Sequence, residues 1–97
     1  IDNHGTGCSI RILSPPEEAG RHEVYDLRFK QGGILDSLPH AQGAREHLTV
    51  IEGRLTVTSG EAVEQLSDGD TARYAADVAH KISADGPARA FLVVHGA

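Results

Sequence analysis

The sequence predicts an all-β fold in which short strands are joined by tight turns. Three observations carry that expectation. Turn-forming residues recur densely, at Ser14-Pro15-Pro16, Gly20, Gly32-Gly33, Pro39, Gly43, Gly53, Ser59-Gly60, Asp68-Gly69-Asp70 and Asp85-Gly86-Pro87, too closely for long helices. Between them, apolar and polar residues alternate with a period of two. The closing segment is almost uninterruptedly apolar.

The elements follow in order. Tyr25, Leu27 and Phe29 interleave with Val24, Asp26 and Arg28, so a strand here has one apolar and one largely polar face. After Gly43, Glu46, Leu48 and Val50 share one face of a strand, and His47, Thr49 and Ile51 share the other. Glu46 and His47 therefore cannot both point inward: an inward Glu46 sends His47 to solvent or to a dimer partner. Leu55 and Val57 alternate with Arg54, Thr56 and Thr58, and Ser59-Gly60 reads as a two-residue hairpin turn into residues 61–66. The alanine-rich stretch from Thr71 to Ile82 has helical propensity, but its Asp-Gly-Asp flank favours strand, loop, strand. Ala88 to Val94 carries Arg89 as its sole charge, the pattern of a strand covered on both faces, one by the core and the other by a second subunit.

Composition narrows the function. Ninety-seven residues make one domain with a thin core, which a partner subunit would help. The net charge is −5 and the seven arginines are scattered singly, so no basic stripe can track a nucleic-acid backbone. No apolar run approaches the roughly 18 residues of a membrane span and no signal peptide opens the chain, so a cytoplasmic protein is expected. Cys8 is alone and reads as a small buried hydrophobe. The chain opens at Ile1 and has no methionine, so it is expected to be part of a longer protein.

Of six histidines, His4, His22 and His95 have no partner nearby in sequence and read as surface residues. His40 and Gln42, two apart in an extended stretch, face one way. With Glu46 and His80 they form a candidate pocket, in which two imidazoles and a carboxylate suit iron, manganese, nickel or zinc. The same residues could instead hydrogen-bond to each other or to an organic ligand, because a buried carboxylate needs partners. Tyr25, Tyr74, Phe29 and Phe91 are further candidate liners or plain core. No serine or cysteine nucleophile stands near a histidine–acid pair, which removes acyl transfer from consideration.

These residues also carry a resemblance. The stretch from Gly33 to Gly53 resembles the first motif of the cupin superfamily, with His40 and Glu46 at motif positions and six residues between Glu46 and Gly53. Gln42 stands where that motif has its second histidine. Gly69 and His80 match the second motif, in which Ala75, Asp77 and Ala84 replace a proline, a glycine and an asparagine. The resemblance implies a small double-stranded β-helix, the cupin or jelly-roll barrel, over residues 1–97 as a single domain. It also implies a divalent metal site (zinc, nickel, manganese or iron) at His40, Gln42, Glu46 and His80. Gln42 weakens that last implication, since a neutral amide is a poor ligand for transition metals.

The run from Pro39 to Val57, the Asp68–Ala72 turn and the closing Ala88–Val94 are similar to the C-terminal cupin domain of XRE-like helix-turn-helix transcriptional regulators. That likeness implies a domain that senses a small-molecule effector in the pocket and homodimerises, with DNA bound only through an N-terminal part preceding Ile1. A small metal-dependent cupin enzyme, an isomerase or a dioxygenase, is the alternative. A purely structural barrel is the third reading.

Overall fold

The computed structural model describes residues 3–96, and side chains from residue 5 onward, so the surface placement expected for His4 lies outside the described residues. Eight strands follow in order: β1 (Asn3–Ile12), β2 (His22–Ser37), β3 (Arg45–Glu52), β4 (Leu55–Ser59), β5 (Ala62–Leu66), β6 (Thr71–Ala75), β7 (His80–Ala84) and β8 (Ala88–His95). The one helical piece among the described residues is the 3-10 turn Pro16–Glu18. All strand pairs are antiparallel, in the order β5-β4-β7-β2-β8-β3-β6, with β1 pairing along β2. The sheet rolls into a nearly closed barrel. Ser59 of β4 helps close it by donating from Oγ to the carbonyl of Ala75 on β6, at 2.7 Å.

The long strand β2 organises this path. Its first half pairs with β8 from His22 to Phe29, and its second half pairs with β7 from Ile34 to Ser37. One strand therefore spans both halves of the barrel. The period-two reading of its first half holds: Tyr25, Leu27 and Phe29 are buried. Asp26, on the outer face, is also buried, because Arg89 of β8 grips its carboxylate through Nε at 3.2 Å and Nη2 at 3.0 Å. That bidentate grip holds the Asp26 carboxyl below its ordinary range.

The alanine-rich segment folds as β6, a loop over residues 76–79, and β7, as expected. The hairpin after β4 differs by one residue. Ser59 pairs with Ala62, so the turn residues are Gly60 and Glu61, and Gly60 at φ 56° takes the first central position. A glycine at that position suits a type II′ turn, whose backbone twist matches that of the strands. Strand β8 covers its inner face with the core, as expected. Ala88, Ala90, Leu92 and Val94 are buried, whereas Arg89, Phe91 and Val93 are half-exposed. Its apolar run reflects a position between β2 and β3, with the Arg89 guanidinium 5.4 Å from the Phe91 ring centre.

Leu27, Leu35, Leu48, Leu55, Ile82 and Val94 fill the interior. Cys8 packs half-buried against this core, and burial raises its thiol to about 11, which keeps it protonated. Gly53 links β3 to β4 at φ 98°, and a Cβ there would lie 2.5 Å from the Pro87 carbonyl oxygen and 2.7 Å from the Ala88 Cα. Only glycine fits.

Candidate functional site

Four side chains meet inside the barrel around Glu46. Strand alternation turns Glu46 inward with Leu48 and Val50, as the sequence implied. Register then places Tyr74 of β6 directly opposite Glu46. His80 opens β7, and His40 lies within the connection between β2 and β3, its backbone N–H donating to the Ala76 carbonyl at 2.8 Å. Glu46 Oε2 lies 3.1 Å from His40 Nε2 and 3.0 Å from His80 Nε2, while Tyr74 donates its hydroxyl to Oε1 at 2.7 Å. The side chains of His40, Glu46 and His80 are 6%, 3% and 1% exposed, so the cluster is largely buried.

The protonation pattern can be derived from these contacts. His80 Nδ1 is 2.7 Å from the Val78 carbonyl oxygen, which only accepts, so Nδ1 carries a proton. Its Nε2 faces a carboxylate, also an acceptor, so in the metal-free domain that nitrogen carries a proton too. Burial opposes charge on His80, but its contacts with Glu46 and Val78 and the charges of Glu46 and Asp36 outweigh this and raise its pKa. Burial likewise pushes Glu46 up. The bonds from His40, His80 and Tyr74, together with the His80 charge, prevail and hold Glu46 at about 2. Tyr74 moves well above 10.0, because burial and the neighbouring Glu46 both oppose a phenolate.

These directions fix a pH response. The Glu46 contribution to stability is complete above its unfolded value near 4.5 and is lost as pH falls toward 2. The His80 contribution is complete below its unfolded value of 6.5 and is lost as pH rises through the raised folded value. Metal-free domain is therefore expected to be most stable between about pH 4.5 and 6.5, and urea midpoints across the pH range check this. An alkaline decline that His80→Asn leaves unchanged would contradict the assignment. Tyr74→Phe removes a donor to a buried charge and is expected to cost about 2 kcal/mol in the same assay.

The donor set fits a divalent transition metal. One atom each of His40, Glu46 and His80 lie within 4.8 Å of one another. Separations of 3.0–3.1 Å are close to the ~3.0 Å between adjacent ligands of an octahedral ion with bonds of about 2.1 Å. His40, Glu46 and His80 would hold the ion, and the Val78 carbonyl would orient the His80 ring from outside. When bound, such an ion polarises an oxygen or nitrogen ligand as a Lewis acid.

Not every expected residue joins the cluster. Gln42 is exposed, because the chain turns over residues 41–43 rather than continuing extended, so the shared face with His40 does not form. Asp77, at the position where the resembled motif has a glycine, braces that turn by accepting the Gly43 N–H at 2.9 Å. Tyr25 is buried, but its hydroxyl donates to Glu23 Oε1 at 2.9 Å rather than to the cluster. Tyr74, a candidate liner from the sequence, does join the cluster, although its bond to Glu46 depends on β3–β6 register, which local sequence does not give. His22 and His95, expected to be unpartnered, place their Nδ1 atoms 3.2 Å apart. A depression of about 660 Å³ between Arg28, Glu52, Asp68 and Arg89 lies toward the opposite end of β3 and β8. It lacks the buried charges that mark the Glu46 cluster.

A nearly closed antiparallel barrel with histidines and a glutamate gathered inside defines a cupin, and the chain belongs to the cupin domain family, whose model matches residues 26–95. Its relatives make the setting more particular. It is 36% identical over 71 residues to the HTH-type transcriptional regulator SutR of Escherichia coli (strain K12), a match covering 73% of this chain and 40% of that protein. Its fold is similar to part of an HTH_3 family transcriptional regulator from Vibrio cholerae, with TM-score 0.82 and 26% identity over 92% of this chain and 51% of that one. The cupin domain of an XRE family transcriptional regulator from Enterobacter cloacae superposes with TM-score 0.81 and 23% identity, covering 93% of this chain and 97% of that domain. This is a cupin domain of the kind associated with transcriptional regulators. The chain spans well under two thirds of the length of the E. coli and V. cholerae proteins. No helix among the described residues is long and apolar enough to cross a membrane.

Proposed function

We propose that this chain is the effector-sensing and dimerisation part of a cytoplasmic bacterial transcriptional regulator whose DNA-binding part lies outside it. The observation that carries this reading is the 36% identity to a helix-turn-helix regulator of which the chain spans 40%. The acidic balance agrees, since a net charge of −5 leaves DNA contact to another part of the protein. In this reading a small molecule or a metal ion enters at His40, Glu46 and His80 and displaces the bonds they make to one another. Such a ligand shifts the regulator only through differential affinity for two arrangements of the dimer.

Sedimentation and a thermal screen of metabolites and divalent metals test this. The expected result is a dimer whose melting temperature rises with at least one class of ligand. A monomer that nothing stabilises would overturn the proposal. The donor set also supports a second reading, a metal-dependent isomerase or dioxygenase. Turnover that requires a stoichiometric metal and disappears with His80→Ala would favour it.

A further inference from the structure

A second group of imidazoles stands on the outside of the barrel. His22 of β2 and His95 of β8 are direct cross-strand partners, with Nδ1 atoms 3.2 Å apart and ring centres 4.7 Å apart. His47 of β3 flanks His95 on the other side, with ring centres 5.0 Å apart. Three neighbouring strands thus bring three imidazoles together at one edge, although His22 and His95 are encoded 73 residues apart. Among the described residues, neither His22 nor His95 has a side-chain hydrogen bond other than the one they share.

We infer that His22 and His95 form a second, two-imidazole metal site on the outer face, selective for imidazole-seeking divalent ions such as zinc or copper. Two nitrogens bound to one tetrahedral zinc at about 2.05 Å each lie about 3.3 Å apart. The observed 3.2 Å matches that spacing. The surroundings sharpen the selectivity. Arg45 is the cross-strand partner of His95, and Arg73 that of His47. Such cationic neighbours disfavour hard ions held mainly by charge, such as magnesium or calcium, and leave ions whose affinity comes from bonding to imidazole nitrogen. Exposed His95 leaves open a coordination position for water or for a donor from another molecule.

The site shares no residue with the Glu46 cluster and stands whether or not that cluster senses an effector. Equilibrium dialysis of tag-free protein against zinc chloride tests it. H22N/H95N is expected to bind one equivalent less than the wild type while keeping its melting temperature. As a second measurement on the unaltered protein, substoichiometric copper(II) is expected to broaden the His22 and His95 ring resonances in NMR spectra. Equal zinc stoichiometry in the two proteins, or ring signals of His22 and His95 that copper leaves unaffected, would overturn the inference.

Discussion

Glu46→Ala is expected to destabilise the metal-free domain by about 3–5 kcal/mol, the range for removing one partner of a buried ion pair. The magnitude follows from what the carboxylate holds. His40, His80 and Tyr74 all bond to it, and none is exposed enough to turn to water instead. Without Glu46, the His80 Nε2 proton faces no acceptor and must be released. The vacated space adds a cavity penalty. Each kcal/mol lost lowers the Tm of a domain this size by about 4–8 °C, so urea or thermal unfolding in the presence of a chelator resolves the effect easily. A loss under about 1 kcal/mol would mean that the pairing contributes little net stability, and the pH window given above would fail with it.

Gly53→Ala is expected to cost about 2–5 kcal/mol. Placing a Cβ at φ 98° costs about 1–2 kcal/mol. Overpacking against neighbours that cannot yield adds about 1–3 kcal/mol. Those neighbours are the backbone of Pro87 and Ala88, fixed at the start of β8, rather than a flexible side chain. Gly69→Ala is the control. Gly69 has φ 83° but no atom within 4 Å of its would-be Cβ, so it suffers the conformational cost alone. Equal destabilisation of the two variants in urea titrations would remove steric contact as the cause.

The fold was legible where local pattern decides it. Alternation at Tyr25, Leu27 and Phe29, and at Glu46, Leu48 and Val50, gave the inner faces correctly because side chains alternate whatever the tertiary setting. The apolar run of β8 marks a strand paired along both edges, between β2 and β3, with its inner face in the core. At the site, motif spacing brought His40, Glu46 and His80 together. Gln42 falls outside the cluster because an extended backbone through residues 40–42 would be needed to align it with His40, and the chain turns there. Contacts fixed by register were invisible. Glu46–Tyr74, Asp26–Arg89 and His22–His95 are separated by 28, 63 and 73 residues, and nothing local couples the members of each pair.

Strand β8 is the last element of this chain to be synthesised, yet it lies between β2 and β3 near the middle of the sheet. Until its eight residues leave the ribosome, β2 and β3 each present a bare edge and the Glu46 cluster lacks part of the wall behind it. Closure of this barrel therefore waits for its final strand. It requires pairings such as His22 with His95, 73 residues apart, and such non-local topology makes folding slow. A nascent chain stalled before residue 88 would expose two adhesive strands, so the vulnerable interval for aggregation ends only when β8 is threaded into place.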